Sequence, residues 1–189
     1  MNAAIIPILP AIQLRRILYA TDFSEASRRA LPIVSALAKR YGSQVYVVNV
    51  WSTLPYSMVT PEAMAILENK QEQDVKSDMA RLLQTSELRG LQTTSLLKSG
   101  EPLDEIRRIV EDQQIDLAVI ATHGRTGIRH LLMGSIAEEL LRSLSCPVLT
   151  VGPHLTNRFK AERFDHSLFL VWRTFPCPNS ASPAGAASR

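Results

Sequence analysis

From Arg15 to Gly152 the chain alternates short apolar runs with longer stretches whose apolar residues recur every three to four positions. "RRILYATD" (15–22) reads as a short buried strand and "SEASRRALPIVSALAKRYG" (24–42) as one helix. Ser24 is its candidate N-cap, Ala26, Ala30, Ile33, Val34 and Leu37 form its apolar stripe, and Gly42 stops it. Pro32 costs that helix a hydrogen bond and predicts a kink. "SQVYVVNVW" (43–51) is a second strand, rich in β-branched residues. A loop holding Pro55 leads into a long polar helix over about 61–87, with Met64, Leu67, Val75, Met79, Leu82 and Leu83 on one side. "LQTTSLLKSG" (91–100) is a third strand, and "EPLDEIRRIVEDQQ" (101–114) a helix with Pro102 in its first turn, where proline is tolerated. "IDLAVIATHG" (115–124) has the continuous apolar run of a strand covered on both faces. "SIAEELLRSL" (135–144) is a further helix and "CPVLTVG" (146–152) a fifth strand.

Strands alternating with helices predict an α/β fold, a parallel sheet joined by right-handed crossovers. Ligands of such sheets bind outside the carboxyl ends of the strands, where strand order reverses. Asp22 follows the first strand, and a glycine-bearing loop, "HGRTGIRHLLMGS" (123–135), follows the fourth. If those two strands are neighbours, Asp22 and the loop face one crevice.

The loop lacks the punctuation of the common phosphate binders. Ser135 stands where a P-loop has lysine, and Gly124 and Gly127 are three apart rather than two. It nevertheless ends at a helix N-terminus, whose unpaired N–H groups and partial positive charge suit an anion. Gly134 allows close approach of a phosphate to the backbone and Ser135 offers a hydroxyl donor. Gly124 and Gly127 permit a tight exit from the strand, and Arg125, Arg129 and His130 offset phosphate charge. Without a lysine the loop supports cradling of a phosphate and not fast phosphoryl transfer. Simpler readings stand beside these. Ser135 with Glu138 is also a capping box, Gly127 also a plain turn, and Asp22 also a cap for the first helix. His123 has no second histidine or cysteine at ligand spacing, which favours a loop-fixing hydrogen bonder over a metal ligand. No Ser–His–Asp set or carboxylate pair stands out.

Charge and composition narrow the picture. The net charge of +3 comes from residues 154–189, with five basic and two acidic side chains; the rest of the chain balances to zero. The body is therefore not a basic surface for nucleic acid. Cys146 and Cys177 are too few for a disulfide framework and lack C-x-x-C spacing, and Cys146 before Pro147 reads as a small buried hydrophobe. The first residues, "MNAAIIPILPAIQLRR", place their arginines after the apolar run, the reverse of a secretory signal, and no segment approaches a membrane span. A cytoplasmic protein is expected.

"RRILYATDFSEASRRAL" together with "DLAVIATHGRTGIRHLLMGSIAEELLRSLSCPVLTV" resembles the universal stress protein family over about residues 13–152. The resemblance implies a five-stranded parallel sheet with helices on both faces and strand order 3-2-1-4-5, Rossmann-like and akin to the adenine nucleotide alpha hydrolases. It implies ATP binding, with or without Mg²⁺, through Gly, two residues, Gly, nine residues, Gly, then Ser or Thr. Gly124, Gly134 and Ser135 match that frame, while Ala121 stands at its first glycine. The implied contacts are Asp22 at the adenosine end with Ala20 and Thr21 beside it, and Val50 at the adenine. Ile120, Ala121, His123, Gly124, Arg125, Gly127, Gly134, Ser135 and Ile136 would line the rest of the site. The resemblance further implies a homodimer through residues 147–151 and a stress-response sensor or regulator with little or no ATP hydrolysis. Two rivals follow. Ala121 favours an interaction module that has lost nucleotide binding. A slow ATPase is the other, though the chain has no H-x-G-H motif and no obvious base. Residues 1–12 read as a leader and 13–153 as the domain. Residues 154–189 read as an extension, either a disordered tail or a truncated second copy.

Overall fold

A computed structural model of the chain describes residues 12–52, 60–122 and 135–152. In chain order the elements are β1 (Arg16–Ala20), α1 (Glu25–Arg28), α2 (Leu31–Tyr41), β2 (Gln44–Trp51), α3 (Pro61–Leu83), β3 (Thr93–Ser99), α4 (Pro102–Asp112), β4 (Leu117–Ala121), α5 (Ser135–Ser143) and β5 (Val148–Val151). The strands form one sheet in the order β3-β2-β1-β4-β5 with every pair parallel, as the resemblance implied.

Period-two alternation divides the core into two layers. Ile17, Tyr19, Val45, Val47, Leu117 and Val119 point toward α2 and α3, while Leu18, Tyr46, Val48, Ala118 and Ile120 point toward α4 and α5. Both faces are covered, which explains the nearly unbroken apolar runs of β1 and β4. Burying Ile17 and Leu18, neither of which keeps exposed surface, stabilises the fold by about 1.5–3 kcal/mol each. The Asp116 carboxylate accepts from the Arg15 and Arg16 backbone N–H groups at 2.7 and 2.8 Å, setting β1 against β4.

Two helices differ from expectation. The first is not one kinked helix but two, because the chain breaks at Arg29–Ala30. Pro32 lies in the first turn of α2, where a missing N–H leaves no bond unmade. Ser24 caps α1 as expected, its hydroxyl accepting from the Ser27 N–H at 3.2 Å, and Gly42 ends α2 at φ 66°. The third helix ends at Leu83, and its apolar stripe is buried at one end only. Met79 and Leu82 are 3% and 1% exposed, whereas Leu67 is 42% exposed. Cys146 is half-buried against the α4/α5 layer, and burial pushes its thiol pKa up to about 11. The readings of residues 1–11, 153–189 and Cys177 lie outside the described residues, and among the described residues no helix is long and apolar enough to cross a membrane.

Tyr19 is completely buried, and its hydroxyl donates to the Ser27 carbonyl at 2.8 Å. Burial raises its pKa from 10 to about 12. The folded form thus holds the phenolic proton more tightly than the unfolded chain, so this stabilisation is whole below pH 10 and lost as pH rises toward 12. Two pKa steps correspond to about 2–3 kcal/mol. Tyr19→Phe is expected to lose about 1 kcal/mol at pH 7, from the hydrogen bond, and to decline less steeply above pH 10. Denaturant unfolding of both proteins at pH 7 and pH 11 checks this; parallel losses would refute it.

Candidate functional site

The switch point lies between β1 and β4, the neighbours from which β2 and β5 extend in opposite directions. At the carboxyl ends of these strands is a cavity of about 210 Å³, lined by Ala20, Thr21 and Asp22 after β1, Val50 of β2, Ile120 and Ala121 of β4, and Ser135 and Ile136 opening α5. These eight predicted site residues meet in one cleft. His123, Gly124, Arg125, Gly127 and Gly134 lie outside the described residues.

The turn after β1 is built by local hydrogen bonds. Phe23 adopts φ 62°, a left-handed conformation costing an ordinary residue roughly 1–2 kcal/mol. Its N–H donates to Thr21 Oγ1 at 3.0 Å, and Ser24 N–H donates to Asp22 Oδ1 at 3.0 Å. Thr21 Oγ1 is also 3.0 Å from Ser27 Oγ. Ser27 Oγ donates to the Ser24 carbonyl at 2.9 Å, which leaves Thr21 as the donor between the two hydroxyls. Asn49 Nδ2 secures the same turn from β2, donating to the Thr21 carbonyl at 2.7 Å. The Thr21 hydroxyl therefore holds the loop. Asp22, which orders the Ser24 N–H and also lines the cleft, is both a turn former and a cleft wall. The helix cap itself is Ser24, so Asp22 does not cap α1 but forms the turn ahead of it.

The cleft floor is apolar, made by Ala20, Val48, Val50, Ile106, Ile120 and Leu140, with polar groups at its ends in Asp22 and Ser135. Ser135 is the first residue of the nine-residue α5, so the helix N-terminus opens toward the cleft. Glu138, the other half of the suggested capping box, is ion-paired with Arg142 at 2.7 Å. Among the described residues no group of three His, Cys, Asp or Glu side chains stands at metal-binding distance. An apolar floor with polar ends suits a flat heterocycle whose attached anion reaches the α5 N-terminus.

Pro102 and Ile106 also wall the cleft, and nothing in their spacing announced it. They arrive because α4 follows β3 at the sheet edge and crosses back over β2 toward β4, packing on α5. Thr122, just past β4, is fastened by its N–H to the Val151 carbonyl at 2.9 Å.

An open parallel sheet with this strand order and a crevice at the β1/β4 switch point defines a doubly wound α/β protein. Residues 13–152 match the model of the universal stress protein family, and the chain belongs to that family. Universal stress protein MJ0577 of Methanocaldococcus jannaschii is 27% identical over 156 residues, covering 75% of this chain and 96% of that protein. A second protein of that organism, universal stress protein MJ0531, is 27% identical over 138 residues, covering 72% of this chain and 81% of its own length. The solved structure of MJ0577 superposes with a TM-score of 0.68 at 29% identity, covering 75% of this chain and 97% of that one. Universal stress protein UspA of Lactobacillus plantarum shares the fold, with a TM-score of 0.64 at 20% identity over 74% of this chain and 99% of that one.

Proposed function

We propose that this protein binds ATP in the β1/β4 cleft and acts as a cytoplasmic stress-response sensor or regulator with little or no ATP hydrolysis. The observation that carries this reading is the convergence of Asp22, Val50, Ala121 and Ser135 on one apolar cleft opening at the α5 N-terminus. The cavity is below the ~300–1,000 Å³ of drug-sized ligand sites, so it suits the compact nucleoside part. Base and ribose would lie between Val50, Ile120 and Asp22. The phosphates would then extend past Ser135 over the helix N-terminus, toward the Gly-x₉-Gly-Ser segment, which the resemblance assigns to them. Ala121 adds one methyl where the motif has glycine, which narrows the cleft at β4 without removing the helix end.

The chemistry available is binding rather than turnover. The segment after β4 carries Ser135 where a P-loop has the lysine that reaches the β/γ-phosphates, which supports cradling over fast phosphoryl transfer. The same reading pairs β5 with its own copy about a two-fold axis. Among the described residues β5 pairs only with β4, so its outer edge carries backbone groups that a second β5 would satisfy. Sedimentation of the full chain at twice the monomer mass is the matching observation.

Calorimetric titration with ATP, and absorbance of any adenine released on denaturing protein purified without added nucleotide, test the binding. Saturable binding is expected, with phosphate release well below the ~1–100 s⁻¹ of kinases. No ATP binding would favour the interaction module, and release of several phosphates per second would favour the ATPase.

A further inference from the structure

Asn49 breaks the pattern of its strand. Val45 and Val47 of β2 are buried in the α2/α3 layer, and alternation puts residue 49 on the same face, where the sequence has an amide instead of a third valine. Asn49 is only 5% exposed. Its Nδ2 donates to the Thr21 carbonyl at 2.7 Å, which fixes the orientation of the amide, because a flipped amide would set two carbonyl oxygens against each other. Its Oδ1 is buried and has no hydrogen-bond partner among the described residues. A buried acceptor left unpaired costs stability, and the methyl group of a leucine, a side chain of nearly the same shape, would not. The amide is therefore placed for its donor and not for its packing.

What the donor holds is one peptide unit. The β1–β2 register sets Ala20 against Val48, so Asn49 stands beside Thr21, and the Thr21 N–H extends that ladder by donating to the Val48 carbonyl at 2.9 Å. The Thr21 carbonyl belongs to the peptide that joins Thr21 to Asp22, and Nδ2 pins the plane of that peptide. Phe23, at φ 62°, has a strained conformation that persists only where its surroundings enforce it. Asp22 lies between the pinned peptide and the strained residue, with its Oδ1 accepting from the Ser24 N–H. Without the amide that peptide is free to turn, and the Asp22 carboxylate moves with it. Asn49 acts from the opposite core layer and is not itself a wall of the β1/β4 cleft. We propose that Asn49 is a positioning residue for the ligand of that cleft: by pinning the Thr21–Asp22 peptide it holds the Asp22 carboxylate in place at the nucleoside end. This inference rests on the ATP reading of the cleft, with Asp22 facing the nucleoside. It also accounts for a polar residue in a buried strand position, since departures from the simplest packing gather where a fold gives up stability at a site.

Asn49→Leu in the full-length protein removes the donor and the orphan acceptor together while keeping the branched shape. Calorimetry should show ATP binding weakened at least tenfold. Amide hydrogen exchange at Ser24, whose N–H the Asp22 carboxylate holds, should speed up at least tenfold. Exchange at Ile17 and Val119, both fully buried, and the melting temperature should stay as in the parent, whereas a residue with only a structural role would move all of these together. Asn49→Ala, which cannot overpack, gives the same ATP and Ser24 comparisons should Asn49→Leu not fold, and loss of the fold in both variants would make the residue structural and overturn the proposal. An unchanged Ser24 exchange rate, or Ile17 and Val119 amides that speed up with it, would overturn it as well. A parent that binds ATP beside a variant that binds it equally well removes the role of Asn49 alone. A parent that binds no ATP removes the nucleotide reading of the cleft, and this proposal with it.

Discussion

Leu82→Ala is expected to lower the unfolding free energy by about 2–5 kcal/mol, while Leu67→Ala, on the same helix, should change it by less than ~0.5 kcal/mol. Both leucines belong to the one apolar stripe legible along 61–87, and that pattern alone would rank them together. The structure separates them. Leu82 is 1% exposed in the core layer with Met79, Ile33 and Val47, so truncation removes buried methyl groups and leaves a cavity that well-packed neighbours cannot close. Leu67 is 42% exposed in the N-terminal half of α3 and already faces water. Denaturant-induced unfolding measures both. Equal losses would mean that α3 docks along its whole length.

Ala20→Phe should weaken ATP binding by at least a hundredfold while the protein stays folded. Ala20 is partly exposed at the end of β1 and packs beside the layer of Leu18, Val48 and Ile120, on the floor of the 210 Å³ cleft. A phenyl ring there occupies the space assigned to the nucleoside, and because the cleft is open the ring displaces ligand rather than core. Gly134→Val probes the other end. It lies outside the described residues, and the Gly-x₉-Gly-Ser frame places it at the phosphates, where a branched side chain bars approach to the backbone. Calorimetry with ATP reads both variants, and the melting transition reports on the fold. If Ala20→Phe keeps full affinity, the nucleoside is not in this cleft; if Gly134→Val does, the phosphate assignment is wrong.

The first helix shows where local pattern stops being enough. Ser24 and Gly42 marked its two ends because caps depend on a residue's own side chain or its freedom at positive φ. The break at Arg29–Ala30 depended instead on how the turn after β1 had to pack. Thr21, Ser27 and Tyr19 are bonded to one another there, and Pro32 marked the start of a helix rather than a kink within one.

The sequence by itself determined the five strands, their parallel alternation with helices, and the residues at the strand ends. Each of these follows from side-chain periodicity and end signals spanning a few positions, and Asp22 and Ser135 were legible as site candidates for that reason. Only the tertiary structure decided that α4 crosses over β2 to bring Pro102 and Ile106 into the cleft. It alone decided that α3 is buried at one end, and that Asn49 of β2 reaches across to hold the Thr21 carbonyl. Those outcomes depend on which surfaces meet across dozens of residues, and short-range periodicity carries no record of the partner.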